Sequence, residues 1–256
     1  MNPSDIHQSV MQGQLSPEKG LEILGRFPDA ETLFLAGRYW AGLDHEKALD
    51  LLMATRSAFF LYRAGLHWPE IKHKKAAEAL ILLNDSESIY KAGRTWKSFD
   101  PKAGLDALFA LKDSRRIYYA GNDWKNFNFI KGQKALAILG DSAFIFYAGC
   151  HWRSFDFTKG MQALLATGNL NYLFQAGKRW QHFDHAAAWD LFEKQIRDGS
   201  PWRAKALEDP RWKKHLLRRF KGLCGMEQRE EGKEKSQAPE RGPGRWEIHF
   251  SPKGPS

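Results

Sequence analysis

The pair Ala-Gly, followed three residues after the Gly by Trp, occurs six times at a constant spacing of 28 residues. The pairs are Ala36-Gly37, Ala64-Gly65, Ala92-Gly93, Ala120-Gly121, Ala148-Gly149 and Ala176-Gly177, closed by Trp40, Trp68, Trp96, Trp124, Trp152 and Trp180. No insertion or deletion interrupts the period. A constant period in this range marks a repeat architecture, in which each short unit buries its apolar face against its neighbours. The 256 residues are therefore read as one repeat array rather than as two compact domains.

The period resolves into two helices. In the unit 113–140, Asp113-Ser114 is a capping signal, and Ile117, Ala120, Gly121 and Trp124 follow at i, i+3, i+4 and i+7. This is one stripe of a helix, helix A, expected to end near Lys125. A short turn ends at a position that reads Ser16, Asp44, Lys72, Asp100, Asn128, Asp156 and Asp184 down the chain. All but Lys72 are good N-caps, and Pro17 and Pro101 stand at the favoured first helical position. A second helix, B, starts there. Its stripe carries a small residue (Gly20, Ala48, Ala76, Gly104, Gly132, Gly160, Ala188) and then Leu24, Leu52, Leu80, Leu108, Leu136 and Leu164, with Phe192 last.

A glycine inside a helix costs about 1 kcal/mol relative to alanine. Six retained glycines imply a compensating close approach of a neighbouring helix, with the large indole filling the space beside the small residue. Trp40, Trp68, Trp96, Trp124, Trp152 and Trp180 are thus expected in the core rather than as a stacking ladder for a ligand. The aromatic six residues before each Trp (Phe34, Tyr62, Tyr90, Tyr118, Phe146, Phe174) borders the same seam.

The fold class that follows is all-α: an α/α solenoid of six two-helix units, with an N-terminal half-repeat, a C-terminal basic helix and a disordered tail. Residues 1–14 are expected to be a flexible lead-in, 15–195 the repeat domain, 196–224 a capping segment and 225–256 the tail. In architecture, residues 15–195 resemble the tetratricopeptide-type α-solenoids. The motif differs. Tetratricopeptide units are longer, about 34 residues, with Trp early in helix A and Pro at the end of the repeat. Here Trp closes helix A and no such Pro recurs. Pentatricopeptide RNA readers also have longer units, so no base-reading code carries over.

Residues that do not recur point to function. On the outer side of helix A stand Arg38, Arg63, Lys91, Arg94, Tyr119, Tyr147 and Lys178, interrupted by Glu31, Glu87 and Asp123. Extended helical-repeat surfaces suit protein or acidic-peptide partners. Basic residues interleaved with tyrosine also suit nucleic acid. The formal charge is +9, with 15 Lys and Arg against 9 Asp and Glu over 196–256. Within that stretch, 211–223 reads as a basic amphipathic helix. Trp212, Leu216 and Phe220 lie on one side, and Lys213, Lys214, Arg218 and Arg219 supply charge. Its apolar side is expected to cap the last unit.

No catalytic constellation emerges, so the expectation is a binding protein and not an enzyme, with no cofactor and no metal. Cys150-His151 invites reading as a nucleophile and base, but adjacent helical residues point in different directions. His182 and His185 lack a third ligand at metal spacing. Met1 to Gln14 shows no signal-peptide pattern, no transmembrane-length apolar run occurs, and Cys150 and Cys224 suggest no disulfide framework. A cytoplasmic location is the expectation. The leading function is a scaffold for a protein or peptide partner, with nucleic-acid binding as the alternative.

Overall fold

The computed structural model describes residues 2–189 and 201–215. Every regular element among them is helical, and consecutive helices pack on one another. The chain is an all-α solenoid. It opens with α1 (Pro3–Met11) and α2 (Pro17–Arg26). The A helices are α3 (Ala30–Tyr39), α5 (Ala58–His67), α7 (Ser86–Thr95), α9 (Ser114–Asp123), α11 (Ser142–His151) and α13 (Leu170–Arg179). The B helices between them are α4 (His45–Ala54), α6 (His73–Leu82), α8 (Pro101–Ala110), α10 (Phe129–Leu139) and α12 (Phe157–Thr167). Helical backbone recurs at 185–189, Pro201–Glu208 and 210–215.

The capping positions behave as their chemistry dictates. Asp44, Asp100, Asn128 and Asp156 accept main-chain N–H groups at the starts of α4, α8, α10 and α12, and Lys72 makes no side-chain cap. Asp29, Asp85, Asp113, Asp141 and Asn169 do the same for A helices. Between B and A the chain turns through a left-handed residue that recurs with the period: Arg56, Asn84, Lys112, Gly140 and Gly168.

Each Trp is the C-cap of its A helix, with extended backbone (Trp124 has φ −79° and ψ 133°). Helix A thus ends at Asp123 rather than near Lys125. The extended residue turns the indole out of the helical stripe and into the preceding unit. There it lies over the bare Cα of the glycine: a Cβ on Gly37, Gly65, Gly93, Gly121 or Gly149 would overlap the ring of Trp68, Trp96, Trp124, Trp152 or Trp180. The indole N–H donates to the main-chain oxygen of the preceding unit's aromatic. The pairs are Trp68 to Phe34 (3.0 Å), Trp96 to Tyr62 (3.3 Å), Trp124 to Tyr90 (2.9 Å), Trp152 to Tyr118 (3.0 Å) and Trp180 to Phe146 (3.1 Å). A carbonyl has two lone pairs, so this oxygen serves its own helix and the incoming indole together. The six tryptophans are only 2–6 % exposed.

The B stripe completes the core. Leu24, Leu52, Leu80, Leu108, Leu136 and Leu164 have no exposed surface. Each such burial contributes about 1.5–3 kcal/mol. The small residue in B answers to the turn before it. Gly104, Gly132 and Gly160 lie under Phe99, Phe127 and Phe155, where a Cβ would overlap the ring. Ala48 and Ala76 follow the smaller Leu43 and Ile71, while Gly20 (after Leu15, and covered by Trp40) and Ala188 (after Phe183) depart from the correlation.

The N-terminal expectation requires correction. Residues 1–14 are not merely a lead-in, because α1 occupies the place of an A helix one period before α3. Asn2 and Asp5 cap it reciprocally, and Ile6 is buried at the position equivalent to Phe34. Hence α2 is not a lone half-repeat. The signature is absent from α1: Ser9 replaces the glycine and Gln12 the Trp. Trp40 adapts by donating its N–H to His7 Nδ1 (3.1 Å) and covering Gly20.

At the other end, Trp212 takes the seat that a further repeat would fill. It is 1 % exposed, lies over Gly177 and donates to the Phe174 oxygen (3.2 Å). Of the apolar side expected to cap the last unit, Trp212 is the residue described, and it packs in this seat; Leu216 and Phe220 lie outside the described residues. Arg218, Arg219, the rest of that helix, and the segment read as a tail lie outside the described residues.

Candidate binding surface

The A helices pack side by side, α3 on α5, α5 on α7, and so on to α13. Their outward residues therefore face solvent in a row. Arg38 is exposed, with its guanidinium 5.0 Å from the Tyr39 ring. Arg63 is half-buried and lies over Phe34 of the preceding unit (4.6 Å) and over Phe59 (5.5 Å). Lys91 pairs with Glu87 (3.2 Å), and Glu87 also engages Arg116. Burial would raise the Glu87 carboxyl, but hydrogen bonds from Arg116 and Lys91 outweigh it and hold the group below its usual range. Lys178 pairs with Asp209 (3.3 Å). Arg94, Lys213 and Lys214 are exposed.

Several cations of the predicted face are thus engaged within the protein, by acids or by aromatic rings. The tyrosines are better connected. Ring centroids run from Tyr90 to Tyr119 (6.2 Å), Tyr119 to Tyr118 (5.2 Å), Tyr118 to Tyr147 (6.0 Å) and Tyr147 to Tyr172 (6.4 Å). These half-buried rings cross α7, α9, α11 and α13 without a break. Tyr119 and Tyr147 belong to the predicted face, whereas Tyr90, Tyr118 and Tyr172 extend it.

A second ladder ties the units together along this side. In four of the five units the aromatic that lends its carbonyl to the seam also presents its ring or hydroxyl to a residue 33 positions later; Tyr62 stacks on Trp96 instead. Tyr90 donates its hydroxyl to Asp123. Tyr118 Oη lies 2.7 Å from His151 Nδ1. Phe34 meets the edge of His67 (6.0 Å), and Phe146 lies under the Arg179 guanidinium (6.0 Å). Burial, reinforced by Asp123, pushes the Tyr90 phenol up to about 12. Burial also lowers His151, with Arg179 adding to the shift. Residues that look freely variable in the sequence are therefore partly matched to the recurring aromatic. The link is a spacing of 33 residues, which is not a helical spacing and so is not looked for along one helix.

Cys150 and His151 do not form a dyad. The His151 ring is directed to Tyr118, and burial pushes the Cys150 thiol up to about 11, where it stays protonated. Among the described residues no helix is long and apolar enough to cross a membrane. The chain matches no protein-family model, no curated protein and no solved structure.

Proposed function

We propose that the chain is a non-enzymatic scaffold that takes a protein or peptide partner on the outer side of its A helices, over the tyrosines between α7 and α13. The observation that carries this reading is the unbroken ring path from Tyr90 to Tyr172, half-buried and half-open to solvent. Tyrosine offers a large apolar face and a polar tip at a small entropy cost, and is enriched at protein interfaces. Lys91 and Lys178 face acids of the same chain, which weakens the case for phosphate. Arg38 and Arg94 remain exposed as polar contacts at the edge.

The test is a peptide-display selection against the full chain, followed by binding measurements with Tyr119→Ser/Tyr147→Ser. The expected result is a family of peptides whose affinity falls roughly tenfold or more in the double variant. Selected peptides indifferent to both tyrosines, and to charge reversal at Arg38, Arg63, Lys91 and Arg94, would remove this surface. Tight binding of fluorescent oligonucleotides with a steep salt dependence would instead favour nucleic acid.

A further inference from the structure

A different surface runs along the B helices, on which an ion-pair register recurs in three of the successive helix pairs. An acid in one B helix pairs with a lysine 25 residues later in the next: Asp50 with Lys75, and Asp106 with Lys131. Glu22 and Lys47 stand in the same relation, and the Lys47 charge acts on Glu22. Between α10 and α12 the register breaks. The α6–α8 pair lacks its lysine (Glu78 with Ala103), and in α10 the acid is replaced by Lys134, so the register position that holds an acid and a lysine in three other pairs holds two lysines, Lys134 and Lys159.

The same interface carries a second departure. The B-helix position that is Leu21, Leu49, Ala77, Leu105 and Met161 elsewhere is Gln133 here. Its buried amide brackets the backbone of the next turn, donating to Asp156 O (2.6 Å) and accepting from Asp156 N–H (3.0 Å). Beside this bracket a groove of about 720 Å³ opens between α10 and α12. Its walls include Ile130, Ile138, Phe155 and the small residues Ala137, Ala163 and Ala166, with Lys134 and Lys159 among the polar lining residues. Ile130 is 78 % exposed and Ile138 61 %, an unfavourable state for two isoleucines eight residues apart on one helix side.

We infer that this groove is a second docking surface, which takes an acidic amphipathic helix. Two roughly side-by-side helices with small residues between them leave a furrow into which a third helix fits by ridges and grooves. An apolar stripe on the guest would cover Ile130 and Ile138, the usual mode of helix-in-groove recognition. Lys134 and Lys159, both in the groove lining, favour carboxylates on the guest. Lys159 has its own neighbour in Asp156 (3.3 Å), an exposed i,i+3 pair of the kind that contributes little. The backbone bracket by Gln133 fixes the relative position of the two walls before any guest arrives, which lowers the ordering cost of binding.

The experiment uses the full chain and a synthetic helix of about four turns, with leucines at i, i+4 and i+7 and glutamates flanking them. A second peptide carries lysines in place of the glutamates. The acidic peptide should bind and the basic one should not. Lys134→Asp restores the arrangement seen at Asp106 and Lys131, so the melting temperature should hold or rise while peptide affinity falls roughly tenfold or more. Ala166→Trp, at an exposed position, should block the furrow with the fold intact. Tyr119→Ser/Tyr147→Ser should bind the acidic peptide as the parent does, because those residues lie on the A helices. Failure of the parent to bind, equal binding of the basic peptide, sensitivity to the tyrosine substitutions, or undiminished binding by either groove variant overturns the inference.

Discussion

Trp68 donates its indole N–H to the main-chain oxygen of Phe34, 34 residues earlier, and the same ring lies on the unsubstituted Cα of Gly37. One side chain thus uses a hydrogen-bond acceptor and a steric gap from a single turn of the neighbouring helix. The gap explains why a residue unfavourable to helices persists in the middle of one.

The seam makes opposing demands at Gly93, where alanine would favour the helix by about 1 kcal/mol but its Cβ would overlap Trp124. Overpacking of this kind costs about 1–3 kcal/mol, so Gly93→Ala should be destabilising on balance. Trp124→Ala should cost about 3–5 kcal/mol, as truncation of a large buried ring does. Urea denaturation of both variants checks the pair. A Gly93→Ala protein more stable than the parent would show that the seam is loose.

Lys112 adopts φ +56° at the turn where Gly140 and Gly168 stand in later units. A left-handed conformation costs a residue with a Cβ about 1 kcal/mol or more, while glycine tolerates it. Lys112→Gly should therefore stabilise the protein by about 0.5–1 kcal/mol after the extra freedom of glycine in the unfolded chain is deducted. Its melting temperature, compared with that of Lys112→Ala, provides the measurement, and no gain from glycine over alanine would contradict the argument.

His73 packs against Trp96 (5.5 Å), and its Nδ1 is buried without a hydrogen-bond partner. Burial lowers its pKa below the ordinary 6.5, with the Lys97 charge adding to the shift. Just below pH 6.5 the unfolded chain therefore binds more protons than the folded one, and stability rises with pH through that window. The contribution is complete above about 6.5 and is lost as pH falls through the depressed folded-state value. His7, His67, His151 and His185 are shifted the same way, chiefly by burial, so the effects reinforce one another. Melting temperatures should fall between pH 7 and pH 5, before ordinary carboxylates titrate. The equivalent residues in α10 and α12 are Phe129 and Phe157. His73→Phe should remove the orphan nitrogen, raise stability by about 1 kcal/mol and flatten part of the pH slope. A slope that stays as steep as in the parent would exclude His73 as a contributor.

What recurs was legible, and what departs from recurrence was less so. Trp124, Gly121 and Leu136 repeat with their neighbours, and packing between identical units leaves one sensible place for each. The helix α1 escaped because recognition rested on Gly and Trp, and Ser9 and Gln12 hide its identity although Ile6 keeps the register. On the outer face, the row of Arg38, Arg63, Lys91 and Lys178 was visible as composition. Glu87 and Lys91 could be paired on a helical wheel, but that Arg63 turns to Phe34 of the preceding unit depends on how neighbouring helices pack, which a wheel does not measure. That Lys134 and Lys159 line one groove required knowing how far one B helix is displaced along the next.

The seat at each glycine does not measure how the incoming indole arrives. Trp68 reaches Gly37 from 31 residues along the chain, and Trp212 reaches Gly177 from 35, four residues beyond the regular spacing. Each junction is thus a standard coupling, indifferent to the linker that delivers its plug. Deleting or duplicating one whole 28-residue module would leave an indole opposite a glycine at every remaining regular joint, although the partners around that seat would change.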